Sequence, residues 1–272
     1  MCASIDNLIN VNFTKGRNDL LRFGLMLGGK GQHRPYVFTP ADLFLQGEQG
    51  AFYIPRPVVN GTQALFQDAA GTVSVTADGD PVGKMLDQSG NGNHASQAAS
   101  GKRPIYRTDG TLHWLQFDGV DDFLFVQNKL PLSDAFFAGV GYRDPVDATN
   151  NNNGLFSQYD ARLGRYILQL YTGGKIDIFL GGSQSTPRVD VSEYASAVVT
   201  KEGSLHELTV GVQQSTLDLV RDIDDAPLAI GASTRSGGFL EGNIYSAVFC
   251  YRAIAAGEKE SLTNYLDSTR PS

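Results

Sequence analysis

The chain has 272 residues, 41% hydrophobic, 10% aromatic and 19% charged, with 31 glycines; this supplies a sizeable core and many tight turns, excludes disorder throughout, and points to an all-β fold. The net charge of −7 conceals an asymmetry, because residues 1–35 sum to +3 and the rest to −10, and so acidic a body disfavours nucleic acid and anionic lipid. There is no run of 18 apolar residues, no long apolar signal-peptide core, and only two cysteines, Cys2 and Cys250, without metal-ligand spacing, so synthesis in the cytoplasm without membrane insertion or a disulfide framework is expected.

Residues 1–40 do not resemble the rest. Their apolar patch at 20–27 is too short for a core and runs into Gly28-Gly29-Lys30-Gly31, so the segment needs a host. It is read as a docking arm reaching into a neighbouring subunit through Leu20, Leu21, Phe23 and Leu25, with Arg22 and Arg34 supplying charge; packing along its own body is the alternative. Thr39 as N-cap and Pro40 at the first helical position predict a short helical turn leading into a strand at 51–54. Strands are also predicted at 112–117 and 123–126, with bulky residues on both faces. The polar tract at 147–154 is read as a surface loop. Beyond it, segments 166–170 and 175–180 flank Tyr171-Thr172-Gly173-Gly174 as a hairpin. His206, Leu208, Val210 and Val212 alternate with polar residues in a further strand, and Leu262, Tyr265 and Leu266 are spaced for one face of a helix over 258–266.

Two Gly-, Asn- and Asp-rich turns carry more information. Asp87-Gln88-Ser89-Gly90-Asn91-Gly92-Asn93 precedes Leu115-Gln116-Phe117-Asp118-Gly119-Val120-Asp121-Asp122. The chain closes with Ile230-Gly231, Phe239-Leu240-Glu241-Gly242-Asn243-Ile244 and Tyr251-Arg252-Ala253-Ile254 before the terminal helix. These segments resemble the concanavalin-A-like, laminin-G-like sandwich family. The resemblance implies one antiparallel two-sheet jelly roll over residues 41–272, with the arm at 1–40 and a short C-terminal helix. Segments 38–44, 47–51, 65–71 and 107–112 are similar to tailed-phage structural proteins that carry this sandwich. That similarity implies a non-enzymatic, oligomeric virion component. Its arm would hold other virion proteins, and its sandwich would decorate a tail or capsid or touch a host-surface glycan. A soluble carbohydrate-binding lectin and a glycan hydrolase are the alternatives.

Hydrolytic relatives place two carboxylates on one strand face in a Glu-x-Asp-x-x-Glu pattern. The sequence has none, so no catalytic residue is assigned. Tyr142, Tyr159 and Tyr171, near Gly- or Asn-rich loops, are the candidate exposed aromatics. Trp114, the only tryptophan, is read as core, with a sugar-stacking platform as its alternative. Asp118, Asp121 and Asp122 are read as a structural turn whose alternative is a calcium site, since Ca²⁺ takes six to eight oxygen ligands; no other cofactor is expected. His94 and His113 lack ligand or triad partners and are read as packing residues.

Overall fold

A computed structural model describes residues 37–271 other than 131–134, 144–152, 160–164, 172, 181–184, 192, 221–225 and 235–236. The described residues form two antiparallel sheets packed as a sandwich, with one α-helix. The front sheet runs from edge to edge through Gln213–Asp218, Leu205–Val210, Tyr194–Glu202, Ala135–Arg143, Glu241–Cys250, His113–Asp118 and Ile105–Thr108, and Gly50–Tyr53 pairs the far half of Glu241–Cys250. The back sheet runs through Val189–Asp190, Lys175–Phe179, Arg165–Tyr171, Asn153–Tyr159, Ala226–Ile230, Leu124–Leu130, Ala95–Ser96, Lys84–Met85 and Leu65–Phe66.

Alternation decides which residues meet between the sheets, because successive strand side chains point to opposite faces. Leu168, Leu170, Ile176 and Ile178 from the back sheet meet Val140, Val199, Ile244 and Phe249 from the front. Edge-on aromatic pairs lock the layers, with Phe156 on Phe249 at 4.8 Å and Phe136 on Tyr166 at 4.8 Å. A second, smaller core lies on the outer side of the front sheet. There the helix Ala256–Ser268 seats Leu262 and Leu266 against Phe52, Phe137, Val198 and Val248. Cys250 is sealed in this layer, and burial pushes its thiol up to about 12. Glu258 fixes the helix start, accepting from the Ala255 amide at 3.0 Å and from both terminal nitrogens of Arg252 at 2.8 Å.

The Asn- and Gly-rich turn at 87–93 faces inward. The buried Asp87 carboxylate accepts hydrogen bonds from the amides of Phe52 (2.9 Å), Ser89 (2.8 Å) and Asn93 (3.0 Å) and from the Ser89 hydroxyl (2.8 Å). Asn91 and Asn93 donate to the carbonyl of Gly50 at 3.1 and 2.8 Å. The motif is therefore a staple between the turn and the strand Gly50–Tyr53, since buried polar groups need such partners.

Several expectations are met. The turn Pro40–Phe44 is capped, with Asp42 accepting from the Thr39 amide at 2.7 Å. The strand at 51–54 appears as Gly50–Tyr53, and the hairpin closes with Gly173 and Gly174 at φ 80° and 66°. Others need correction. Val212 is fully exposed because Leu205–Val210 ends before a turn that takes Gly211 to φ 57°. Asn153 and Gly154, assigned to the loop, are buried at the start of a strand, where Gly154 lies so close to Ala232 that a Cβ would sit 2.3 Å from its backbone. The rest of that tract and residues 1–36 lie outside the described residues.

A Cβ on Gly139 would lie 2.9 Å from Leu266 Cδ1 and 3.2 Å from Leu262 Cδ2. Gly139→Val is therefore expected to lower unfolding free energy by about 1–3 kcal/mol, whereas Gly101→Ala, with nothing near its added carbon, should change it by less than about 0.5 kcal/mol; urea denaturation distinguishes the two.

Candidate functional site

The helix covers only part of the front sheet's outer face. Beyond its C-terminal end, one row of directly opposed residues runs across five strands: Tyr194, Arg143, Asn243, Gln116 and Ile105. The neighbouring row carries Trp114 opposite Arg107. Between the rows the register of Glu241–Cys250 against Ala135–Arg143 slips by one residue at Gly141/Tyr142, so Tyr245 has no partner on that strand. Such a bulge re-aims a side chain. Tyr245, only 2% exposed, lies buried against Trp114, ring centroids 5.7 Å apart. Burial and the phenol of Tyr194 raise its hydroxyl pKa, against a hydrogen bond with Asn243 and the charge of Arg143.

This strip combines a half-buried indole, phenol rings and planar amide and guanidinium groups. Its cations are paired. Arg143 meets Glu193 at 2.6 Å while its guanidinium carbon lies 5.5 Å from the Tyr194 ring centroid. Arg107 meets Asp78 at 3.2 Å, and Arg270, which reaches in to donate to Ser196 Oγ at 3.1 Å, meets Asp267 at 2.6 Å.

Along the strand His113–Asp118, Trp114, Gln116 and Asp118 point outward while Leu115 and Phe117 fill the core. Asp118 thus sits about 13 Å along the same face from Trp114. It joins Asp121 and Asp122 in a group whose carboxylate oxygens lie within 4.8 Å of one another. Asp118 Oδ1 accepts from the amides of Val120 (2.8 Å), Asp121 (3.2 Å) and Asp122 (3.4 Å), which builds the turn, and Lys102 pairs with Asp121 at 3.5 Å. Burial, then the charge of Asp118, pushes the Asp122 carboxyl up to about 6. Three carboxylates on one turn could supply part of the six to eight oxygens that a calcium ion takes.

The other candidates divide. Trp114 is not core, since an outward strand position and the Tyr245 contact place it on the strip. Tyr142 is not exposed at all; it is fully buried between the sheets on the inward side of the bulge. Tyr159 ends the strand Asn153–Tyr159, and its side chain lies outside the described residues. Tyr171 lies on the opposite side of the molecule, in register with Lys175 on the back sheet and beneath Arg188, whose guanidinium carbon is 3.6 Å from its ring centroid. Leu20, Leu21, Arg22, Phe23, Leu25 and Arg34, proposed for docking, lie outside the described residues, as does the setting they imply. His94 Nδ1 accepts from the Asp87 amide at 3.1 Å and His113 Nδ1 meets the Tyr106 hydroxyl at 2.6 Å; both histidines brace turns. Sequence reasoning missed Arg143, Tyr194, Asn243 and Tyr245, which converge from separate strands with no local motif.

No family model and no curated protein match the chain. Solved structures do. A GH54 α-l-arabinofuranosidase soaked with a cyclic sulfate inhibitor shares 14% identity over 85% of this chain and 65% of its own, with a TM-score of 0.61. A Trypanosoma rangeli sialidase in complex with sialic acid shares 16% identity over 80% of this chain and 37% of its own, with a TM-score of 0.53. Domain 4 of AbnA, a GH43 extracellular arabinanase from Geobacillus stearothermophilus, in complex with arabinotriose, shares 12% identity over 65% of this chain and 91% of its own, with a TM-score of 0.51. The chain thus spans about two thirds of the arabinofuranosidase and about a third of the sialidase. At these identities the likeness shows the fold. It also corrects the expectation of a non-enzymatic protein, since the fold is shared with glycoside hydrolases, among them an arabinofuranosidase soaked with an inhibitor.

The Asp122 carboxyl rises from an ordinary 3.8 to about 6 on folding. Between those values the folded state holds the extra proton, so this group's contribution to stability is complete below pH 3.8 and is lost as pH rises through 6. Asp122→Asn should melt at or below the wild-type temperature at pH 4 and above it at pH 8; equal shifts at both pH values would show that burial does not perturb this carboxyl.

Proposed function

We propose that this jelly-roll-type sandwich is a carbohydrate-active protein that binds a neutral glycan along the open half of its front face. The observation that carries the reading is the juxtaposition of Trp114, backed by the buried Tyr245 and Asn243, with Tyr194, Arg143 and Gln116 along one row of the face. An aromatic face packs on the apolar face of a sugar ring, and flanking planar amide and guanidinium groups hydrogen-bond its hydroxyls. Because Arg143, Arg107 and Arg270 are each neutralised by a carboxylate, the strip offers no unpaired cation to an acidic sugar. The fold shared with carbohydrate-active proteins supports the same reading.

Glycoside hydrolysis is a second reading, favoured by the acidic trio at the end of the strip. Hydrolysis needs one carboxyl to protonate the leaving oxygen and another, ionised, to attack or to activate water. Asp122, pushed up to about 6 beside Asp118, has the first character, and the stepped environments of neighbouring carboxyls separate such roles.

Calorimetric titration with neutral arabino- and xylo-oligosaccharides tests the binding. Trp114→Ala should weaken affinity by at least about tenfold, or ~1.4 kcal/mol, without changing the melting transition by more than a few degrees. Unchanged affinity in that variant would overturn the assignment of the strip. For hydrolysis, Asp122→Asn should abolish release of reducing ends while leaving binding intact.

A further inference from the structure

The outer face of the back sheet carries an arrangement that the front strip does not use. Gln169 and Asp177 are directly opposed across two strands, and both are buried on the side away from the main core. The Asp177 side chain is 0% exposed. Its Oδ1 accepts from Gln169 Nε2 at 3.0 Å, and the same nitrogen donates to the Tyr171 hydroxyl at 2.6 Å. Oδ2 has no hydrogen-bond partner among the described residues and is met only by an ion-pair contact with Arg188 Nε at 3.6 Å. An orphaned buried oxygen of this kind calls for a reason.

Arg188 is held over this point from both sides. Thr186 exchanges hydrogen bonds with the backbone of Ile178, its amide giving 3.0 Å to the carbonyl and its hydroxyl accepting 3.0 Å from the amide. Val189 pairs with Ile176, and Ser215 Oγ ties the carbonyl of Pro187 at 2.6 Å. The guanidinium is stacked on Tyr171, which sets its plane, and its side chain remains 51% exposed. The neighbouring cation, Lys175, is already paired with Asp190. Burial raises the Asp177 carboxyl above the usual range, against a hydrogen bond from Gln169 and the charge of Arg188. In a chain whose net charge is −7, Arg188 is thus an oriented, half-exposed guanidinium that meets Asp177 through Nε at 3.6 Å and turns its outer edge toward solvent.

We propose that Arg188, stacked on Tyr171 above buried Asp177, is a second ligand site that captures the carboxylate of an acidic sugar residue, a hexuronate or sialate. A planar guanidinium presents two parallel N–H donors that match a carboxylate, and a ring beneath it reduces the freedom lost on binding. Sugar is preferred over an acidic peptide because this inference rests on the carbohydrate reading above; the site itself lies on the opposite sheet and is scored separately.

The test is titration calorimetry on the full chain with an oligogalacturonate, its methyl ester and a glutamate-rich peptide. Wild-type protein should bind the acid at least about tenfold more tightly than the ester. Arg188→Ala and Arg188→Gln should erase that preference, and Arg188→Lys should restore only part of it, because an ammonium lacks the fork. Trp114→Ala should leave the preference in place, so failure of the front strip and failure of this site are distinguishable. Melting curves confirm that each variant is folded, and two exchange chemistries at one half-exposed position keep the test independent of either. Equal binding of acid and ester, or a preference that survives Arg188→Gln, would overturn the proposal. Equal, Arg188-dependent binding of the peptide would overturn the assignment to sugar.

Discussion

The placement of the C-terminal helix on a glycine-bearing strand decides which part of this sandwich can meet a ligand. Gly139 and Gly141 leave no side chain between the sheet and the helix, so Leu262 and Leu266 pack directly on the strand, within contact of where a Cβ would be. Helix and sheet thereby seal a second core over one half of the front face. The other half stays open, and there the outward residues need not be apolar. Trp114, Gln116, Asn243 and Arg143 occupy that region for this reason. A bulkier strand would push the helix outward and loosen the boundary on which the strip depends.

The second constraint is the bulge at Gly141/Tyr142. A regular ladder would have alternated Tyr142, Ile244 and their neighbours inward and outward without interruption. Along Ala135–Arg143 the alternation holds, with Phe136, Ala138, Val140 and Tyr142 all in the main core, while the extra residue on Glu241–Cys250 turns Tyr245 toward Trp114. The irregularity therefore seats Tyr245, itself buried, beneath the indole of the open face. Bulges next to functional surfaces often serve this purpose. On the opposite sheet, the outer face is covered by the Thr186–Val189 segment, and burial of polar groups there is tolerated because Gln169 satisfies part of Asp177.

Local chemistry was legible in the sequence wherever a few adjacent residues determine the outcome. Thr39-Pro40 announced a capped turn, Gly173-Gly174 announced a hairpin, and Leu262, Tyr265 and Leu266 announced the inward face of the helix. The Asp87 turn was visible too, but its direction was not. Its composition suits a solvent-facing turn and an inward staple equally, and only the partners supplied by Phe52 and Gly50, more than thirty residues away, settle it. Trp114 was misread for a related reason. Apolar residues flank it in sequence, yet period-two alternation places Leu115 and Phe117 inward and leaves the indole outside. Tyr142 failed in the reverse direction because its nearness to a Gly- and Asn-rich loop was set above the alternation of Phe136, Ala138, Val140 and Tyr142, which all face the core.

The strip's composition follows from where the core ends, and its carbohydrate reading stands on the single indole it contains. That residue is the chain's only tryptophan, so fluorescence excited at the red edge, where tyrosine does not absorb, reports on this position alone. Titrating the protein with a neutral arabino- or xylo-oligosaccharide should give a saturable change in the intensity or wavelength of Trp114 emission, with a midpoint matching the calorimetric affinity. Calorimetric binding with Trp114 emission unchanged to saturation would place the glycan elsewhere and contradict the assignment.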